Sequence, residues 1–194
     1  MAGAGTCMMR SSTNSAMPMT PRSSSQKRFR SWAKAARSPD LRAAFEAHLD
    51  ETRGQIVRLE QIFANLGEKV RGKHCDGIAG IIEEGKAVME GDFAEATMDA
   101  CLIAAGQRAE HYEMAAYGTM VAWARAMGHA EAADLLQETL DEEKAADDTL
   151  SSLAEDGIND EAASAAHADE DEDAEMAAPA RTASQSTAAK SSRR

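Results

Sequence analysis

Leu41, Phe45, Leu49, Ile56, Leu59, Phe63 and Leu66 recur at three-, four- and seven-residue intervals, the spacing that gathers side chains onto one face of an α-helix. Three further stretches carry the same period: Ile78, Ile81 and Val88; Leu102, Ala105, Ala109, Ala116, Met120, Trp123 and Met127; and Leu136, Leu140, Leu150 and Ala154. No alternating Val/Ile/Thr run competes with them, so the pattern predicts an all-α chain. Amphipathic helices gain little from propensity alone, and burial of these stripes against one another must hold the fold. The helix ends are marked as well. Ser38 or Asp40 can cap the first helix, with Pro39 in its first turn, and Gly67 closes it. The second runs from Asp76 to Glu90 and is interrupted by Gly80 and Gly85; Asp92 can cap the third, which ends at Gly128. The fourth runs from about Ala130 to Ala154 and stops before Gly157. Short connections predict antiparallel neighbours, and hence a four-helix bundle.

Charge divides the chain into three parts. Residues 1–39 hold seven Lys/Arg and no acid, residues 155–177 ten Asp/Glu and no Lys/Arg, and the last 17 residues four Lys/Arg and no acid. Residues 40–154 hold 10 basic and 23 acidic residues, a surface unsuited to nucleic acid, whose binding relies on neutralising phosphates. The expected organisation is a disordered basic tail over 1–38, a helical bundle over 39–155, and a disordered acidic then basic tail over 156–194. No apolar run reaches the roughly 18 residues of a membrane span. Three scattered cysteines without a CxxC fit a reducing, cytoplasmic compartment.

The acids are the unusual part of the bundle. On helical wheels His48 and Thr52 fall near the middle of the first stripe, with Gln55 beside them and Glu51 at its edge. In "AEHYEMAAYGT", Ala109 to Thr119, Glu113 lies almost at the centre of the third stripe and Glu110 on its flank. Glu143 and Asp147, four apart, lie on the fourth stripe, and Glu84 at the border of the second. Burying ionised carboxylates without partners costs several kcal/mol at least. Arg53, Arg58, Lys86, Arg108, Arg125 and Lys144 all project away from the stripe centres, so few cations can neutralise these acids. Raised pKa values, trapped water or bound cations are the remaining solutions. Oxygen-rich ligands with one imidazole suit iron or manganese, and bundle cores hold pairs of such ions. Thr52 and Gln55 are placed to orient the ligands.

The blocks "AFEAHLDETRGQIVRLEQIFANLG", "CDGIAGIIEEG", "DACLIAAGQRAEHYEMAAYGTMVAWARAMG" and "LLQETLDEEKAADDTLSSLA" resemble the YciE/YciF family of ferritin-like proteins over about residues 40–155. The resemblance implies a ferritin-like antiparallel four-helix bundle, a homodimer, a di-iron-type centre and an association with bacterial stress responses. By match to the family's blocks it points to His48, Glu51, Gln55, Glu84, Glu110, Glu113, Glu143 and Asp147. The Glu-x-x-His pattern usual in di-iron bundles is absent from the chain.

Three functional readings follow. The first is an iron or manganese protein, with His48, Glu51, Glu84, Glu110, Glu113, Glu143 and Asp147 as the ligand set, reacting with oxygen or peroxide. The second is a non-enzymatic helical dimer with a metal-free polar core, acting as a structural or interaction protein. An iron-storage cage is the third. No residue is assigned a catalytic role.

Overall fold

The computed structural model describes residues 24–70 and 74–167. Its helices are α1 (Ser24–Ala35), α2 (Pro39–Asn65), α3 (Asp76–Glu90), α4 (Glu95–Ala126) and α5 (Ala130–Leu153). No strand occurs among the described residues, in agreement with the all-α reading. The long helices α2 and α4 both pack against α5, while α1 packs on α2 and α3, and α3 on α4, closing a ring round the core. Paired side chains give the directions. Arg58 meets Glu142 and Asn65 meets Glu131, so α2 and α5 are antiparallel. Gln107 meets Ser151 and Arg125 meets Gln137, so α4 and α5 are antiparallel too.

The core consists of two apolar clusters. One joins Leu59, Phe63, Tyr117, Met120, Leu136 and Leu140 of the three long helices. The other joins Phe29 and Trp32 of α1 to Phe45, Leu102, Ala109 and Leu150. His48, Glu110, Glu113 and Glu143 fall in sequence between the two sets, and all four are buried.

Helix α1 corrects the expected boundary of the N-terminal tail. Phe29, Trp32, Ala33 and Ala36 repeat at helical spacing and are almost wholly buried, so residues 24–38 belong to the bundle. Gly85 makes this approach possible. A Cβ there would sit 2.7 Å from the Trp32 ring, so the glycine that reads as an interruption of α3 is the seat of an indole. At the other end α5 does not stop cleanly before Gly157. The chain kinks at Gly157, whose φ of 139° is non-helical, and helix resumes over 159–167, with Ile158 packed against the second cluster. Residues 1–23 and 168–194 of the expected tails lie outside the described residues.

Capping follows the sequence at some ends only. The Ser38 hydroxyl accepts from the Leu41 amide at 3.3 Å and Pro39 opens α2. Gly128, at φ 77°, lets the chain leave α4 as expected, and the His129 amide reaches back to the Ala124 carbonyl at 2.9 Å. Asp92 is not the cap of α4, whose N-cap is Ala94. Instead Asp99 closes that end of the bundle. Its carboxylate accepts the Arg37 amide at 2.8 Å and the Ser38 amide at 2.7 Å, pinning the α1–α2 link to α4.

Candidate metal centre

His48 from α2, Glu110 and Glu113 from α4 and Glu143 from α5 each offer one ligand atom, all within 4.8 Å of one another. The spacing of Glu110 and Glu113 puts both on the inner face of one helix, nearly one turn apart. His48 Nε2 lies 3.3 Å from Glu110 Oε2 and 3.3 Å from Glu143 Oε2. On the other side of the ring, Nδ1 lies 3.0 Å from Glu51 Oε2, which fixes the imidazole so that Nε2 faces the carboxylates.

Glu113 has a partner that the wheel of the four long segments lacked. Arg28 Nη2 donates to Glu113 Oε2 at 2.6 Å, and both side chains are 1% exposed. The guanidinium carbon stands 4.4 Å from the Phe29 ring centroid, so one face of the cation rests on an aromatic π-surface. Glu113 Oε1, Glu110 Oε2 and both oxygens of Glu143 lack a well-formed hydrogen bond among the described residues, although His48 Nε2 stands 3.3 Å from Glu110 and Glu143 and these two carboxyls are close enough to share a proton. Buried carboxylate oxygens are rarely left so.

Protons are held tightly here. Burial, and then the charges of Glu113 and Glu110, push the Glu143 carboxyl well above the usual carboxylate range. Burial likewise raises Glu110, against the opposing pull of His48 and Arg28. Burial works to lower the His48 pKa, but the Glu51 hydrogen bond and the charges of Glu110, Glu113 and Glu51 outweigh it and leave the imidazole more basic than usual.

The remaining sequence-derived positions stand apart from this cluster. Glu51 touches His48 but is 44% exposed. Glu84 faces solvent, 3.8 Å from Arg108. Asp147 Oδ2 lies 3.1 Å from His111 Nε2, its Oδ1 is buried without a hydrogen-bond partner among the described residues, and it is not one of the four groups whose ligand atoms lie within 4.8 Å of one another. Thr52 donates to the His48 backbone carbonyl at 2.8 Å, and Gln55 donates to Glu142 at 3.3 Å, so neither orients a carboxylate of the cluster. Arg58 is less remote than its wheel position suggests, for it clamps Glu142 with two guanidinium nitrogens beside the centre. Arg28 is the residue that sequence reasoning missed, and the Phe29/Trp32/Ala33/Ala36 spacing next to it was the available signal.

A cavity of about 110 Å³ reaches the cluster from the surface between α2 and α5. It is lined by Ala44, Ala47, Ala145, Ala146 and Thr149, with Glu51 beside them and His48, Glu110, Phe45 and Leu150 further in. A larger one, about 320 Å³, lies between α1 and α3 and is lined by Lys27, Arg28, Trp32, Cys75, Ile78 and Lys86 among others. Beside it Cys75 Sγ lies 2.9 Å from the Tyr112 hydroxyl, and this contact, with burial, pushes the phenol pKa up to about 12.

The fold is shared with known proteins. The chain is 44% identical to protein YciF of Escherichia coli K12 over 128 residues, 66% of this chain and 77% of that protein. The crystal structure of the E. coli stress protein YciF superposes with a TM-score of 0.71 at 39% identity, covering 78% of this chain and 92% of that one. YcfI from Rhodopseudomonas palustris, which has been proposed to be a structural protein, gives a TM-score of 0.63 at 38% identity, covering 66% of this chain and 81% of that one. Residues 23–163, from just before α1 to the helical turns after Gly157, match the family described as a domain of unknown function, DUF892. The chain therefore belongs to the DUF892 family, the YciE/YciF group of helical-bundle proteins.

Proposed function

We propose that this is a stress-associated bundle protein in which His48, Glu110, Glu113 and Glu143 hold one divalent cation, iron or manganese. The observation that carries the reading is the convergence of four buried ligand atoms within 4.8 Å, with carboxylate oxygens that lack a well-formed hydrogen bond. Around a six-coordinate ion with bonds of about 2.1 Å, trans ligands stand about 4.2 Å apart, so the cluster has the dimensions of a single-ion site. Charge supports one ion rather than two. Three carboxylates against the Arg28 guanidinium leave two negative charges when His48 is neutral, and one divalent cation cancels them. The di-iron centre implied by the resemblance would need further acids, and Glu84 and Asp147 are held elsewhere by Arg108 and His111. Two carboxylates, one imidazole and a third carboxylate held by Arg28, all buried, suit iron or manganese, which would supply redox chemistry with oxygen or peroxide.

Arg28 has a defined part in this. It takes one oxygen of Glu113, leaves the other free, and removes one charge from the electrostatic cost of the metal-free core. The test is thermal unfolding of the chelator-treated chain with and without Mn²⁺. An ion at a hundred times its Kd stabilises by about 2.7 kcal/mol, and Glu110→Gln should abolish the shift. An equal shift in that variant would place the ion elsewhere on the acidic surface.

A second reading is favoured by the same Arg28–Glu113 pair. With protons on Glu143 and His48 the core is already close to neutral, as a structural protein requires, and the relative YcfI has been proposed to be one. No Mn²⁺-dependent shift at millimolar ion would favour it.

A further inference from the structure

The four ligand atoms are buried, so a cation must pass protein to reach them. We propose that the small cavity between α2 and α5 is the entrance of the centre, with Glu51 as the carboxylate that receives the ion; the inference rests on the metal-binding reading. The cavity is lined at once by two of the ligands, His48 and Glu110, and by Glu51, which is 44% exposed and in contact with His48 Nδ1. Its walls are made by alanines of both helices, which open a passage where larger side chains would interdigitate. At about 110 Å³ it has room for several waters, so it can admit an ion that keeps part of its hydration shell.

The larger cavities are worse routes. None of the four ligands lines the space between α1 and α3, where Lys27, Arg28 and Lys86 outnumber the one carboxylate, Glu83, and make the field unfavourable to an approaching cation. The open hollow beside Ile81, lined by Glu84, Arg108 and His111, likewise touches no ligand. Glu51 supplies the opposite field at the alanine-walled mouth. Its bond to His48 also links arrival at the mouth to the imidazole whose Nε2 already faces the carboxylates.

An entrance alters how fast an ion comes and goes without altering how tightly it is held, since both directions use the same path. Uptake of Co²⁺ by the metal-free full chain, followed by stopped-flow absorbance, and its release to excess chelator give both rates. Ala146→Leu should slow uptake and release together, on the order of tenfold, with the Kd unchanged. Glu51→Gln should slow uptake, and Lys27→Glu, at the other cavity, should leave both rates as they were. An unchanged Kd in Ala146→Leu and Lys27→Glu also reports that these two variants are folded; Glu51→Gln, which loosens the His48 ring as well, should bind more weakly. Wild-type rates in Ala146→Leu, or faster uptake in Lys27→Glu, would overturn the entrance while leaving the metal centre standing. A wild-type chain that takes up no ion would overturn both.

Discussion

Glu113 and Arg28 show at the scale of single residues how this core tolerates its charge. Each is 1% exposed, so removing one partner strands the other in a medium that solvates it poorly. In chelator-treated protein Glu113→Leu should therefore cost about 3–5 kcal/mol, whereas Arg28→Met/Glu113→Leu should recover most of that loss, as measured by urea unfolding. A double variant as unstable as the single would mean that Arg28 is not the counter-ion of Glu113. Glu143 is a different case. Its proton is held by burial and by neighbouring carboxylates, so in the metal-free chain Glu143→Gln mimics the protonated form and should leave stability within about 1 kcal/mol of wild type. The sequence placed His48, Glu113 and Glu143 inward by periodicity alone, because a wheel reports which face a residue occupies. It put Glu110 on a flank, although α1 and α2 cover that flank too and leave Glu110 1% exposed.

At the scale of helices, α1 decides whether the polar layer is covered. Trp32 packs against Gly85, so Gly85→Ala brings a methyl group within 2.7 Å of the indole and should destabilise the chain by about 1–3 kcal/mol through overpacking, read as a lower urea midpoint. Asp99→Ala should cost about 2–3 kcal/mol by the same measurement, since it leaves the Arg37 and Ser38 amides without their charged acceptor. The long helices were legible because each carries several turns of an unbroken apolar stripe with recognisable stops at Gly67 and Gly128. α1 was not, because a short stripe of Phe29, Trp32, Ala33 and Ala36 sits in a Ser/Arg-rich, acid-free segment whose composition argues against a core. With α1 assigned to a tail, its arginine was unavailable as a neutraliser, so bound cations stood out as the way to balance acids of which Arg28 in fact pairs with one, Glu113. The helix beyond the kink at Gly157 was hidden for a similar reason: acidic composition suggests an end to structure, but Ile158 holds the next turn against the core.

For the molecule as a whole, the proposed metal centre would set protons and metal in competition for one set of atoms, and the protons alone fix the sign of the metal-free chain's pH dependence. Glu110, Glu143 and His48 all bind protons more tightly in the fold than at their ordinary values of 4.5 and 6.5. Their contribution is complete below those ordinary values and is lost as pH rises through the raised ones. The metal-free chain should therefore have a lower Tm at pH 8 than at pH 6, and Glu143→Gln should flatten that trend. Metal binding must displace the same protons, so affinity for Mn²⁺ should rise over the same interval. The most direct measurement is elemental analysis of the untagged full chain, purified without chelator from cells supplied with iron and manganese. About one iron or manganese per chain is expected, with none in Glu110→Gln/Glu143→Gln. A folded, metal-free chain whose Tm does not move with added Mn²⁺ would contradict the metal centre.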